Sequence, residues 1–246
     1  MKSQRNFAQQ KKTALSDVDL SRKGNIDQYI LELLQIVNDS EDLFSTSSCS
    51  GRITLFEEIS GKKKGCSWLH ISHEKVQFED IENALKESVG NSYIKFEPFV
   101  AHIQCIDLDH ARRLLSAANA AGYRNSGLTI GKKDRILLAI RSTHTLQVPL
   151  SLDGKLIVSN DYIKHVIRLV NEKMDENMNS IDRLTGLIRE AINEFNMAKS
   201  EINKDTKRKR RQKINNEKSN SYKENNIVDN QDFSEELVAD FFTSDP

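Results

Sequence analysis

Apolar residues recur at spacings of three and four in four stretches of the chain, and this period predicts four helices. The predicted helices cover residues 26–37, 81–89, 107–121 and 161–197. Asp27 is placed to cap the first helix, and Gly122 follows the third as a helix-ending glycine. The fourth helix is long enough to lie across a sheet or against a partner.

Alternating or uniformly apolar runs between these helices predict strands. The apolar centre of 135–142 is typical of a central strand, and Asp153-Gly154 predicts a hairpin turn. The three-residue spacing of Phe96 and Phe99, on either side of Pro98, breaks the period of two, so we expect a change of face and a bulge there. The predicted strands cover residues 53–59, 66–72, 93–106, 123–130, 135–142, 145–152 and 155–158.

This order of elements predicts a single α+β domain, residues 1–198, with a mixed or antiparallel sheet flanked by helices and a long C-terminal helix. From residue 199 the chain is rich in Lys, Asn and Ser, a composition that predicts a disordered tail over 199–246. Apolar residues among acids at 232–242 indicate a short helix that docks elsewhere.

Total charge excludes no class of partner, because 36 Lys and Arg balance 36 Asp and Glu. The distribution is more informative: residues 199–213 hold eight basic and two acidic side chains, whereas 232–246 hold five acids and no base. Three cysteines are too few for a disulfide scaffold. The polar N-terminus does not resemble a signal peptide, and no apolar run approaches a membrane span. We therefore expect a cytoplasmic protein, with nuclear entry open.

The segment 46–52 combines small hydroxyl residues with Cys49, Gly51 and Arg52, and it predicts a loop that approaches a ligand closely. Arg52 adds a planar fork for a carboxylate or phosphate. Cys49 is either a nucleophile or a small residue in a tight loop. Its possible histidine partners are His70, His73, His102 and His144.

Other candidate chemistry is weaker. Cys66, His70 and His73 do not share one strand face, so we expect no metal site. Lys95 and Glu97 form either a solvated strand face or a paired set in a cleft. Residues 141–144 end the predicted central strand, where polar groups often line a site. The chain carries neither a Gly-x-Gly-x-x-Gly fingerprint after a strand nor a Walker loop.

Taken together in this order, these segments resemble the tRNA wybutosine-synthesising protein 3 family over residues 5–195. The serine-rich signature with its Cys and Gly-Arg end is the most specific part, and Cys66 stands where many members carry Gly. The matching segments are Ser21-Arg22-Lys23-Gly24 with Asp27, Ser45-Thr46-Ser47-Ser48-Cys49-Ser50-Gly51-Arg52, Lys63-Lys64-Gly65 with Trp68-Leu69, Ser72-His73, Lys95-Phe96-Glu97-Pro98-Phe99, Ser126-Gly127, and Arg141-Ser142-Thr143-His144 leading to Val148-Pro149.

The resemblance implies an S-adenosylmethionine-dependent methyltransferase of wybutosine biosynthesis, with the family's own α+β fold and not a Rossmann-type one. Its substrate would be N-4 of the 7-(aminocarboxypropyl) demethylwyosine base beside the anticodon of phenylalanine tRNA. Two rival hypotheses are a non-catalytic RNA-binding module and a Cys–His hydrolase that uses Cys49.

On this interpretation the candidate residues fall into three groups. The acceptor nitrogen must lose a proton, so a nearby base is expected, and tRNA phosphates require cations. The catalytic candidates are His73, Asp27 and Ser47. The cofactor- or substrate-binding candidates are Ser48, Cys49, Gly51, Arg52, Lys95, Glu97, Ser142 and His144. The tRNA-binding candidates are Arg22, Lys23, Lys63 and Lys64.

Overall fold

A six-stranded antiparallel sheet forms the centre of the protein, which we describe from a computed structural model covering residues 2–16, 27–58, 66–132 and 135–239. Along the sheet the strands follow the order β2-β1-β3-β5-β4, and β6 pairs with the other half of β3. A small hairpin, β7–β8, forms a separate two-stranded sheet. The strands are β1 (Leu43–Glu58), β2 (Ser67–Ser72), β3 (Asn91–Cys105), β4 (Gly127–Ile130), β5 (Ile136–Arg141), β6 (Leu146–Pro149), β7 (Ser151–Leu152) and β8 (Lys155–Leu156).

In these described ranges five α-helices accompany the sheet: α1 (Lys2–Ser16), α2 (Leu31–Asp39), α3 (Phe78–Lys86), α4 (Leu108–Ala120) and α5 (Asn160–Ala239). The predicted α+β class is confirmed, and every strand pair in the described residues is antiparallel. The sequence did not predict α1, which has few apolar residues; Phe7 nevertheless packs its ring on Phe44, with 5.2 Å between centroids. A 3₁₀ turn, Gln28–Ile30, leads into α2.

The main core lies between the sheet and the helices α3 and α5. Apolar side chains of β1 and β3 meet one face of each helix, and the 3.6-residue period of α5 supplies its share of the cluster. The largest contributors are Ile53, Leu55, Ile81, Ile94, Phe96, Val170 and Met174, each at most 1% exposed. Burial of this kind fixes the position of α5 across residues 163–174.

The serine-rich segment is part of a strand, so the prediction of a loop at 46–52 is wrong. It lies inside the 16-residue β1, which pairs with β3 from Leu43 to Glu58. Serine and glycine disfavour strands locally, but the long ladder to β3 overrides that preference. Since Ser47 and Thr46 are exposed, the small polar side chains form an open strand surface.

A helix residue interrupts the β1–β3 ladder at Ser50 and Phe99. The Asn177 side chain donates Nδ2–H to the Ser50 carbonyl (2.7 Å) and accepts the Phe99 N–H at Oδ1 (2.8 Å). On β3 the buried positions change here from Ile94 and Phe96 to Phe99 and Ala101. The predicted change of face is therefore confirmed. The predicted bulge is misplaced, because the register shifts at Ser45–Ser47, and the inserted amide lets both strands turn without a shift.

Several turns follow the sequence closely. Asp107 caps α4 by accepting the His110 N–H (2.9 Å), and Gly122 beyond the helix has φ +105°. Asp153 and Gly154 both have positive φ in the β7–β8 hairpin, as its sequence predicted. The 61–65 loop and the start of the chain around 21–24 lie outside the described residues.

The chain divides into two compact units, residues 1–192 and 193–246. The sequence predicted disorder from residue 199, whereas the structure continues α5 as helix to Ala239. Lys, Arg, Glu and Gln are good helix formers, which favours this helix without an apolar face. The domain boundary at 198 stays a prediction. In the described part of the chain, none of the helices is both long and apolar enough to span a membrane.

Candidate active site

Asp27, Cys49 and His73 meet beside the backbone of Gly51. The His73 Nδ1 atom lies 3.0 Å from the Gly51 carbonyl oxygen, 3.3 Å from Asp27 Oδ2 and 3.9 Å from Cys49 Sγ. The side chain of His73 is 24% exposed and that of Asp27 only 8%. A carboxylate, an imidazole and a thiol from three separate elements thus form one cluster at the edge of the core.

The Asp27 carboxylate is fixed by β1 and not by the helix it precedes. It makes no side-chain cap to the 3₁₀ turn, so the predicted helix-capping role is wrong. Instead its Oδ2 accepts the Ser50 N–H at 2.8 Å. Because Ser50 sits where the ladder is interrupted, its N–H has no strand partner to compete with Asp27. The interruption of the ladder therefore creates the anchor for the carboxylate.

Gly51 allows the cluster to close around the backbone. Its φ is +103°, a conformation that side chains with a Cβ rarely adopt. A Cβ there would lie 2.9 Å from Asn177 Nδ2 and 3.1 Å from the Glu97 carbonyl oxygen. The sequence predicted that small residues here let the chain approach a ligand closely. Within the protein itself, glycine at position 51 is required by the close approach of α5 and β3.

The neighbours of His73 determine its tautomer. Both the Gly51 carbonyl and the Asp27 carboxylate accept hydrogen bonds, so Nδ1 carries the proton. In the neutral ring, Nε2 then holds the lone pair. This arrangement of carboxylate, Nδ1–H and unprotonated Nε2 is that of an oriented general base.

The Cys49 thiol is unsuited to nucleophilic attack. Burial raises its pKa, and the Gly51 backbone and the Arg52 guanidinium only partly offset that effect. A thiol with a raised pKa is protonated at neutral pH, whereas the thiolate is the nucleophile. The geometry therefore favours a pocket-lining thiol over the Cys–His hydrolase hypothesis.

Arg52, Lys95 and Glu97 form a second cluster on paired positions of β1 and β3. Arg52 Nε lies 2.6 Å from Glu97 Oε2, and Lys95 Nζ lies 2.7 Å from Oε1. Partial burial raises the pKa of Glu97, but the hydrogen bonds from Lys95 and Arg52 outweigh it and leave the pKa lowered. Arg52 also lies over Trp68, 5.3 Å from the ring centroid. Lys95 and Glu97 are thus a paired set, and the carboxylate that Arg52 holds is internal.

Ser47 belongs to a third group, away from direct contact with His73. Its Oγ lies 2.9 Å from His102 Nδ1, and Arg141 donates towards His102 Nε2 at 3.4 Å. Burial and the Arg141 charge lower the pKa of His102, so this ring is neutral at pH 7. Since arginine only donates, Nδ1 carries the proton and donates to Ser47. His102 therefore does not deprotonate Ser47, and a catalytic role for Ser47 stays a prediction.

Ser142 and His144 line a cleft next to the inserted amide of Asn177. The Ser142 hydroxyl accepts the His144 N–H at 3.2 Å, which turns the chain after β5. The predicted site at the end of this strand thus coincides with a concave surface. Ser48, by contrast, pairs with Ala101 within the β1–β3 ladder, and among the described residues no hydrogen bond joins its side chain to the Asp27 cluster.

Sequence reasoning missed Asn177, and it named His102 and Arg141 without placing them beside each other or beside Ser47. Asn177 carried a detectable signal, since it is an amide on the otherwise apolar stripe of α5, between Met174 and Ile181. An amide at such a position is buried and needs partners. The four predicted tRNA-binding residues, Arg22, Lys23, Lys63 and Lys64, lie outside the described residues.

Among the described residues, the group of possible metal ligands that lie close together does not include Cys66 or His70. The ligand atoms of Asp27, Cys49 and His73 do lie within 4.8 Å of one another, a spacing that a shared cation also permits. The hydrogen bonds of Asp27 and His73 already account for their positions. The expectation of no metal stays a prediction.

Fold and site together define an α+β enzyme built on an antiparallel sheet, without the phosphate-binding glycine loop of doubly wound folds. Residues 9–190 match the family Methyltransferase TYW3. The chain therefore belongs to the Methyltransferase TYW3 family. This confirms the resemblance drawn from the sequence and favours the enzyme over the RNA-binding module.

Relatives named tRNA wybutosine-synthesizing protein 3 homolog support the same assignment. The protein of Danio rerio is 42% identical over 190 residues, which is 76% of each chain. The protein of Homo sapiens is 44% identical over 190 residues, 76% of this chain and 73% of the relative. In Arabidopsis thaliana, tRNA wybutosine-synthesizing protein 2/3/4 is 36% identical over 186 residues, 68% of this chain but 19% of the longer relative.

Solved structures share the fold. The PH1069 protein from Pyrococcus horikoshii has a TM-score of 0.70 and 29% identity, covering 76% of this chain and 98% of its own. A hypothetical protein from Aeropyrum pernix has a TM-score of 0.60 and 26% identity, covering 67% of this chain and 98% of its own. Both matches support the non-Rossmann fold.

Proposed function

We propose that this protein transfers a methyl group from S-adenosylmethionine to N-4 of the 7-(aminocarboxypropyl) demethylwyosine base beside the anticodon of phenylalanine tRNA. The relatives named for wybutosine synthesis support the pathway. The observation that carries the reaction is the Asp27–His73 pair, which orients a lone-pair nitrogen in a family of methyltransferases. We place the reaction in the cytoplasm.

His73 acts as the general base. As the new carbon–nitrogen bond forms and the carbon–sulfur bond breaks, the acceptor nitrogen loses its proton to His73 Nε2. The Asp27 carboxylate, 3.3 Å from Nδ1, stabilises the imidazolium that results. The proton then leaves His73 for solvent, to which the ring is partly open.

The residues around Gly51 fit the proposed cofactor. S-adenosylmethionine supplies an electrophilic methyl group on a positively charged sulfur. The Asp27 carboxylate and the Gly51 carbonyl place negative charge at the cluster, which favours a neighbouring cation. Cys49 offers a neutral, small wall there. Because methyl transfer to nitrogen is direct, it needs no covalent enzyme intermediate and no thiolate.

Two parts of the protein hold the tRNA. One is a set of basic side chains outside the described residues, and the other is the polar surface of β1. Arg22, Lys23, Lys63 and Lys64 contact phosphates, which positions the anticodon loop without reading sequence. The target base is unstacked from the loop and placed against flat or apolar side chains. The exposed side chains of Thr46 and Ser47 on β1 leave room for this approach.

The purified protein tests the proposal directly. Incubated with S-adenosylmethionine and tRNA from cells lacking this protein, it should convert the 7-(aminocarboxypropyl) demethylwyosine nucleoside to the N-4-methylated form, as measured by nucleoside mass spectrometry. tRNA from cells that retain the protein is the control and should accept no further methyl group. Normal wybutosine in the deleted cells would contradict the assignment.

A further inference from the structure

The cleft beside Asn177 combines charges of both signs. It is bounded by β3, by the residues after β5 and by α5. Lys173 and Arg183 lie about three turns apart on α5 and Glu176 lies between them, all three lining the cleft. Among the described residues, neither cation has a carboxylate within 4.0 Å, and Arg183 donates only to the Ser180 hydroxyl at 2.9 Å.

Tyr123 is a second, independent sign of a missing partner. It forms part of the cleft lining and is 2% exposed. Its hydroxyl is buried and has no hydrogen-bond partner among the described residues. Burial raises the pKa of Tyr123, and the nearby Arg183 charge acts against that effect. A buried hydroxyl without a hydrogen-bond partner costs free energy, so the Tyr123 hydroxyl points to a partner that arrives with a ligand.

We infer that this cleft, lined by Lys173, Glu176, Arg183 and Tyr123, binds an α-amino-carboxylate group. Lys173 and Arg183 hold the carboxylate, and Arg183 can do so with two parallel hydrogen bonds. Glu176 holds the ammonium group. A polar group that enters beside Arg183 also gives the Tyr123 hydroxyl its partner.

The inference rests on the proposed function, in which two reactants carry this group. S-adenosylmethionine ends in a methionyl amino acid, and the proposed base carries an aminocarboxypropyl chain. Asn177 lines the cleft and also bonds to Ser50, the residue before Gly51. The cleft therefore adjoins the backbone that His73 contacts, and either reactant could extend from one to the other.

Calorimetric binding distinguishes the two sources. The probes are S-adenosylhomocysteine and 5′-methylthioadenosine, which share the nucleoside but differ in the amino acid portion. If the cofactor tail occupies the cleft, Arg183→Ala and Lys173→Ala weaken S-adenosylhomocysteine binding about tenfold or more and leave 5′-methylthioadenosine binding unchanged.

If the substrate chain occupies the cleft, the same variants bind S-adenosylhomocysteine normally. Their KM then rises about tenfold for tRNA that carries the aminocarboxypropyl chain and stays unchanged for tRNA that lacks it. Either pattern supports the inference. Variants that change neither binding nor KM would overturn it.

Two further variants separate binding from folding. Tyr123→Phe should weaken the same ligand while the melting temperature stays equal or rises, because no hydrogen bond of the free protein is lost. Arg168→Ala removes a cation of α5 outside the cleft, near Glu172, and should change neither quantity. If the wild type transfers no methyl group, the proposed function fails, whereas binding measurements still report on the cleft. Arg183→Ala and Lys173→Ala variants that bind both S-adenosylhomocysteine and tRNA carrying the aminocarboxypropyl chain as tightly as the wild type would then overturn the inference too.

Discussion

The Nδ1 atom of His73 lies close to three groups, and only two of them are good hydrogen-bond acceptors. The Gly51 carbonyl and the Asp27 carboxylate hold Nδ1–H, and Cys49 lies farther away. This division of contacts gives the neighbouring residues different roles. It also predicts that substitutions of equal size at these positions have unequal effects.

Replacing His73 should affect the reaction far more than the fold. We expect His73→Ala to lower the rate of methyl transfer by about 10²-fold or more, because a positioned general base contributes that much. Cys49→Ser is the matched control and should retain most of the rate, since the thiol is protonated. Rates and melting temperatures are measured in parallel. A fall in rate that merely follows the melting temperature would make His73 structural.

Glu97 links stability to acidic pH. Its pKa is lower in the folded protein than its ordinary value of 4.5, so its contribution is complete above pH 4.5 and is lost as the pH falls below it. We expect Glu97→Gln to be less stable than the wild type at pH 7 and to lose less stability on acidification. Urea unfolding from about pH 3 to pH 7 measures both slopes.

Glu58→Gln, at the exposed end of the neighbouring strand β1, is the control for removing one carboxylate. Parallel slopes for Glu97→Gln and the wild type would show that the ion pairs with Arg52 and Lys95 add no stability.

At the scale of elements, the sequence predicted what local periods determine. The stripe of α5, the Gly122 end of α4 and the Asp153-Gly154 turn depend on neighbouring residues, and all three form as expected. The serine-rich segment forms a strand because it pairs with β3, some fifty residues away. Its own composition does not favour a strand, so the sequence did not predict one there. Likewise, Cys49 and His73 could be named from the sequence, but their contact required the register of β1 and β2.

The Asn177 insertion should matter for both stability and reaction. Asn177→Ala leaves the Ser50 carbonyl and the Phe99 N–H buried without partners, so we expect a loss of about 1–3 kcal/mol in the free energy of unfolding. Methyl transfer should fall as well, because Ser50 anchors Asp27. Chemical denaturation and initial rates give the two quantities.

Asn171 provides a close comparison on the same helix. Its side chain bridges the Val76 N–H and carbonyl, at 3.0 and 2.9 Å, away from the β1–β3 ladder. Asn171→Ala should therefore lose stability but keep its rate under folded conditions. Equal loss of rate in both variants would refute a specific role of Asn177 at the site.

At the scale of the whole molecule, the two compact units differ in composition. Within residues 1–192, apolar side chains of α5 are buried as far along the helix as Ile192. The second unit contains the basic cluster at 207–211. The family match also ends at residue 190. Folding and catalysis are thus expected to reside in the first unit.

Truncation after Lys199 should leave a cooperatively folded and active enzyme. The loss of the basic cluster should instead flatten the dependence of log affinity for tRNA on log salt, by about one unit or slightly less per lost phosphate contact. Affinity is measured across a salt series for both lengths. Full-length protein with glutamine at 207–211 is the control for charge alone, and equal slopes in all three would remove the tail from RNA binding.

The partners of Ser50 impose an order on folding. Its N–H is bound by a residue 23 positions earlier in the chain, and its carbonyl by one 127 positions later. During synthesis the strand can pair and the core can begin to form, yet this peptide stays incomplete until the last long helix emerges and docks. Contacts so distant in sequence form late, because loop closure precedes any gain from them. We therefore expect a nascent or C-terminally shortened chain that ends before Asn177 to lack the ordered Ser50 peptide that anchors Asp27, even where its strands have paired, so that the chemistry of the protein arrives only with its last long helix.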